Sequence, residues 1–133
     1  MKFFNCLASL YAKIQSPLSS PQQIAHDLGF ELPDSFKFDD FVNLITDSRF
    51  QPANLVKFMN RKDVERVFSS AIKKEHFSYH SLYSYYLDKG WVGFYLQFDH
   101  ENKLRRIYVQ HKKIQRSTGV EIGLCSANIL LPS

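Results

Sequence analysis

His76 and His80, four residues apart, are the pair in this sequence whose side chains would suit a metal ion. On a helix that spacing puts both imidazoles on one face, within reach of one ion. On a strand the same spacing separates them by roughly 13 Å, at about 3.3 Å per residue. The run from His76 to Leu87 is rich in aromatic residues and lacks Gly and Pro, so it reads as a strand and shared chelation is not expected. A third histidine, His100 or His111, could join a site only through the fold. Asp39 and Asp40 offer an acid and a base, but helical neighbours diverge by about a hundred degrees and do not share a substrate. Anions at a helix start suit its dipole, which accounts for them without catalysis. Cys6 with a distant histidine would be a thiol catalyst, yet Cys6 borders an apolar stripe and reads as a small core residue.

Other chemistries are missing. The sequence holds no GxxxxGK[ST] phosphate loop, no GxGxxG, no HExxH and no EF-hand loop. Its five glycines, Gly29, Gly90, Gly93, Gly119 and Gly123, build no GxSxG elbow. No catalytic residue, cofactor or metal site is expected.

The unusual feature is aromatic and basic. Tyr79, Tyr83, Tyr85, Tyr86, Tyr95 and Tyr108 all fall on expected strands. Between Lys103 and Arg116 lie six cations (Lys103, Arg105, Arg106, Lys112, Lys113, Arg116) with no acidic residue among them. Tyr79, Tyr83, Tyr85 and Tyr108 with Arg105, Arg106, Lys112 and Lys113 are therefore the candidate partner-binding residues. Tyrosine and arginine are favoured at protein interfaces. Aromatics on a sheet flanked by cations also suit base stacking and phosphate contact. Half of these tyrosines could simply cover a sheet face, and a Lys/Arg strand could protect an edge.

The elements that must position these residues follow from the patterning. The chain has 133 residues, 44% hydrophobic and 23% charged, which is one soluble domain and excludes disorder or a disulfide scaffold. Its net charge of +4 divides into −2 over residues 1–52 and +6 over residues 53–133. Cys6 and Cys125 have no paired spacing, so free thiols in a reducing cytoplasm are expected, although one bridge between them is possible. Phe3, Phe4, Leu7, Leu10, Tyr11 and Ile14 mark an amphipathic first helix rather than a leader, and no run is long enough to span a membrane.

Further helices are expected near 21–28 (Ser20 cap, Gly29 stop), near 38–47, from Pro52 with Leu55, Val56 and Met59 inward, and from Asn60 with Val64, Val67, Phe68 and Ala71 inward. From about residue 76 the period falls to two. Strands are expected over 76–87, 91–98, 103–112 and from Val120, with turns at Asp88-Lys89-Gly90 and Asp99–Asn102. The register of Leu104 depends on the second turn. The expected fold is α+β: four to five short N-terminal helices (about 1–73) packed on an antiparallel sheet of three to four strands (about 76–125).

Residues 60–112 carry a helix reading Arg61-Lys62-Asp63-Val64-Glu65-Arg66-Val67, then Tyr85-Tyr86, then Phe94-Tyr95-Leu96-Gln97-Phe98-Asp99 and Lys103-Leu104. This resembles the helix-plus-meander module of the SmpA/OmlA (BamE-like) group. The resemblance implies a non-catalytic module that works by binding other proteins, and it transfers no functional residue. In type, though not in residues, the chain is also similar to small bacterial immunity proteins, which neutralise a cognate toxin by occluding it. The expectation is thus a non-enzymatic, cytoplasmic protein-binding domain, an immunity-type inhibitor or adaptor. A nucleic-acid binder and a small hydrolase with an unrecognised site are the alternatives.

Overall fold

The computed structural model describes residues 18–113 and 119–126. Helix α1, Pro21–Leu28, begins where the Ser20 hydroxyl accepts the Gln23 amide at 3.1 Å and proline occupies the first turn. It ends at Gly29, whose φ of 98° is the left-handed conformation that glycine adopts without steric cost. Helix α2, Phe38–Ile45, starts with the Asp40 carboxylate accepting the Lys37 amide at 3.0 Å. Phe38, Phe41, Val42 and Ile45 of α2 are all buried.

The helix expected from Pro52 does not form. Its backbone is drawn elsewhere: the Asn54 amide donates to Leu28 O at 3.0 Å, and the Phe58 amide donates to Leu104 O at 2.6 Å. Val56–Lys57 becomes strand β1 instead. Helix α3, Arg61–Val67, follows and is shorter than its apolar stripe suggests, with Val64 fully buried and Phe68 buried just past its end.

The main sheet has strands β2 (Lys73–His76), β3 (His80–Leu87), β4 (Gly90–Phe98), β5 (Leu104–His111) and β6 (Val120–Ile122), antiparallel in the order β2-β3-β4-β5-β6. A separate strand β7, Cys125–Ser126, pairs in parallel with β1. The architecture is α+β, and the expected counts are corrected. Three short helices stand among the described residues rather than four to five, and the sheet has five strands rather than three to four. The expected first helix lies outside the described residues.

The fifth strand arises because the aromatic run at 76–87 is not continuous. It folds back at residues 77–79, where the Phe77 amide donates to His80 O at 2.8 Å. Arg61 holds this turn with hydrogen bonds to the carbonyls of Phe77, Ser78 and His80 at 2.6–3.2 Å. No glycine or proline is needed when a guanidinium satisfies three turn carbonyls.

One face of the sheet joins the helices in the core. Tyr83, Tyr85, Leu87, Val92, Phe94, Leu96, Ile107 and Val109 cluster with the buried residues of α1, α2 and α3. At the β4–β5 register shift Gln97 pairs with Arg106 and Phe98 with Leu104, which leaves Arg105 as the extra residue of a bulge. That insertion puts Leu104 on the same face as Ile107 and turns both arginines outward. It also fixes the register that the sequence left open.

Candidate functional site

Alternation along the strands sends every second residue to the face away from the helices. The register aligns Glu75, Leu82, Tyr95, Tyr108 and Glu121 in one row across all five strands. No described element covers this row. A chain of ring contacts runs obliquely over it: Phe77 stacks on His80 at 4.6 Å between centroids, His80 meets Tyr95 at 5.2 Å, and Tyr95 meets Tyr108 at 6.2 Å. Tyr86 and Trp91, paired across β3 and β4, add two more half-exposed aromatics at the upper end. Gly93 stands under the Trp91 ring, 3.6 Å from where its Cβ would be, so the indole lies back along the sheet.

The lower end is cationic. Lys57, Tyr79, His80, Tyr95, Arg105 and Arg106 line a cleft of about 410 Å³. Phe58 takes a left-handed φ of 69°, which costs a non-glycine residue about 1 kcal/mol. That backbone leaves its ring exposed, and the Arg105 guanidinium lies 4.8 Å from the ring centre. Arg105 also reaches Asp99 at 3.3 Å, and Asp99 accepts the Glu101 and Lys103 amides. The Lys103 amide, then the Glu101 amide and the Arg105 guanidinium, hold the Asp99 carboxyl below its usual range against the opposing effect of burial. Hydrogen bonding to Tyr108, with Glu121 nearby, holds the Arg106 guanidinium more firmly protonated.

The structure divides the eight residues expected to bind a partner. Tyr79, Arg105 and Arg106 line the lower cleft, and Tyr108 belongs to the adjoining row. Tyr83 and Tyr85 are fully buried and belong to the core instead, because they share the inward parity of Leu87. Tyr83 stacks on Phe68 with centroids 4.6 Å apart, and the Tyr85 hydroxyl donates to Asp27 of α1 at 2.9 Å. Lys112 and Lys113 lie past the opposite end of β5 against α2. Lys112 sits 5.7 Å from the Phe38 ring centre, and Lys113 pairs with Asp39 at 2.5 Å. The basic stripe is therefore split, roughly 20 Å of strand separating its two ends at about 3.3 Å per residue. Arg116 lies outside the described residues.

Several residues of this face were not among the candidate partner-binding residues: Trp91, Leu82 and Phe58, together with Tyr86, noted only as a strand tyrosine, and His80, weighed only as a metal ligand. The β4 alternation does separate Trp91 and Tyr95 from Val92 and Phe94, so that signal was present. Nothing in the sequence around Phe58 announces a left-handed residue.

On the core side, His76, Ser81 and Glu65 invite comparison with a nucleophile, a base and its orienting acid. The geometry does not serve that chemistry. One nitrogen, His76 Nδ1, faces both Ser81 Oγ at 3.3 Å and Glu65 Oε1 at 4.0 Å, whereas a relay needs one ring nitrogen for each. Ser81 is fully buried and its oxygen accepts from Arg61 at 3.0 Å. His76 and His80 flank a hairpin rather than sharing a strand, and they belong to opposite faces: His76 meets core residue Tyr83, His80 meets Tyr95. Among the described residues no group of three His, Cys, Asp or Glu is placed to hold a metal ion. Nor is any described helix long and apolar enough to cross a membrane.

No match was found among protein families, curated proteins or solved structures.

Proposed function

We propose that this chain is a non-enzymatic protein-binding domain that docks a partner on the outer sheet face, in the manner of an immunity-type inhibitor or adaptor. The observation that carries the reading is the row Leu82–Tyr95–Tyr108, which no described element covers, bordered by Trp91 at one end and Arg106 at the other. Rigid aromatic rings contribute large contact area with few torsions to freeze, and arginine adds directed hydrogen bonds at the rim. The resemblance of residues 60–112 to a protein-binding module supports the same conclusion. Work in the cytoplasm suits the Cys125 thiol, which donates to Gln51 at 3.2 Å.

Nucleic acid is the less favoured ligand. Arg105 is engaged by Asp99, and Arg106 by Tyr108 near Glu121, so phosphates would have to displace existing partners. Lys112 and Lys113 are too distant to extend the same track.

Immobilised wild-type protein and a Trp91→Ala/Tyr108→Ala variant would be compared for stoichiometric capture of a protein. Both would also be titrated with a single-stranded RNA oligonucleotide at several salt concentrations. The proposal expects a protein that wild type retains and the variant releases. RNA binding with a steep salt dependence, abolished by Arg105→Ala with Arg106→Ala, would overturn it.

A further inference from the structure

At the opposite end of the molecule lies a half-open cleft of about 570 Å³, within the range of ligand pockets. Its apolar surface comes from Phe36, Phe38 and Leu87, and four lysines rim it: Lys37, Lys89, Lys112 and Lys113. Two carboxylates oppose them. Asp39 is taken up by Lys113, and Asp88 neighbours Lys89 on the β3–β4 turn without an ion pair among the described residues. Lys37, Lys89 and Lys112 form no ion pair there, although the Lys112 charge acts on Asp39 at longer range, so four lysines against two carboxylates leave the cleft an excess of positive charge.

The rim is built into the fold. Gly90 makes room for it, since a Cβ there would come within 2.8 Å of the Phe38 ring and 3.0 Å of Lys112 Cδ. His111 stands edge-on to Phe38 at 6.3 Å, and its Nδ1 accepts the Lys113 amide at 3.2 Å. That bond turns the chain immediately after β5 and keeps Lys112 and Lys113 beside α2. The Lys112 ammonium lies over the Phe38 ring, 5.7 Å from its centre, and so stands at the edge of an apolar surface.

Three ammonium groups without an ion pair among the described residues, set around an apolar floor, complement a ligand that joins carboxylates to an apolar body. We propose that this cleft is a second binding site, and that it takes an acidic peptide segment of a protein partner bearing an aromatic side chain between carboxylates. The aromatic ring would lie against the half-buried Phe36, above the edge of the buried Phe38, while the carboxylates meet Lys37, Lys89 and Lys112. This site shares no residue with the outer sheet face, and its test is independent of that reading.

The test uses the full chain, uniformly labelled with ¹⁵N, and two synthetic peptides. One alternates Glu or Asp with Phe, and the other replaces each acid with Lys. The acidic peptide is expected to give saturating amide shifts at Lys37, Phe38, Lys89, Gly90, Lys112 and Lys113, and the basic peptide none. Lys89→Ala with Lys112→Ala, both exposed positions, should weaken binding about fivefold to tenfold. Arg105→Ala with Arg106→Ala should leave it unchanged. The proposal is overturned by absent shifts, by equal response to both peptides, or by indifference to the lysine variant. Shifts mapping to Tyr95 and Tyr108 would overturn it as well, while leaving the outer-face reading standing.

Discussion

The hydroxyl of Tyr85 donates to Asp27 at 2.9 Å, joining β3 to α1 across fifty-eight residues of sequence. The Ser70 hydroxyl donates to the same carboxylate oxygen, so one acid ties the first helix, the central sheet and the loop after α3 together. Burial, then the Asp27 charge, pushes the Tyr85 phenol far above its ordinary range, and it stays a donor at any physiological pH. Two residues away on the same face, Tyr83 differs: its buried hydroxyl has no hydrogen-bond partner among the described residues.

These two tyrosines should respond oppositely to loss of a single oxygen. Tyr85→Phe removes a bond to a charged acceptor and is expected to cost about 1.5–3 kcal/mol. Tyr83→Phe removes a buried, unpartnered hydroxyl and should be neutral or slightly stabilising, within about 0.5 kcal/mol of wild type or better. Urea unfolding followed by circular dichroism measures both. Equal losses would contradict the assignment.

Arg61 should resist conservative replacement. Its guanidinium serves three carbonyls and the Ser81 hydroxyl and lies 4.7 Å from the Phe98 ring centre. Lysine keeps the charge but cannot present that planar fork. Arg61→Lys is therefore expected to lose about 2 kcal/mol, most of what Arg61→Ala loses. A fully rescued Arg61→Lys would show that charge alone holds the β2–β3 turn.

Gly119 allows little latitude. Its φ is 85°, and a Cβ would sit 2.4 Å from the Val109 carbonyl oxygen. Gly119→Ala should cost about 1–2 kcal/mol or more and release β6 first. Hydrogen exchange would then accelerate at Val120–Ile122 before it does at β3 or β4.

Stability should fall on acidification in two stages. Burial, aided by the Lys113 charge and opposed by Asp39, holds the His111 imidazole below 6.5. The unfolded chain thus binds this proton more readily, so the contribution of neutral His111 is present above about pH 6.5 and is lost below it. The lowered carboxyls of Asp39, Asp47 and Asp99 contribute above 3.8 and lose that contribution as pH falls toward their folded values, about 2 for Asp47 beside Arg49. Urea midpoints at about pH 7.5 and about pH 5.5 should differ for wild type, and less for His111→Gln.

Trp91 is the single tryptophan and lies 40% exposed on the outer face. In the free protein iodide should quench its emission readily. A partner docked on that face should shift the emission to the blue and protect it. Unchanged quenching in a stoichiometric complex would place the partner elsewhere.

Much of this organisation was legible beforehand, where local chemistry decides. Ser20-Pro21 and Gly29 bracket α1, and Asp88-Lys89 turns β3 into β4, because caps and tight turns depend on a few adjacent residues. The split of the run 76–87 was hidden, since its turn is held by Arg61, a residue distant in sequence. The inward placement of Tyr83 and Tyr85 was also ambiguous, because tyrosine suits a core and a surface alike. Parity with Leu87 resolves it only once the strand pairing is known. For the same reason the cationic run 103–116 read as one stripe, although a bulge at Arg105 and the strand between divide it into separate ends.

The parallel pair β1–β7 brings Val56 beside Cys125. The meander of β2 to β5 can zip between near neighbours as the chain is synthesised, but this pair must await a strand far downstream. Lys57 and Phe58, which shape the cationic end of the outer face, directly follow Val56. The Phe58 amide is held by the Leu104 carbonyl of β5, so the cationic end of the outer face can form with the meander, and a chain cut short before β7 would lose only the Val56–Cys125 tether behind it.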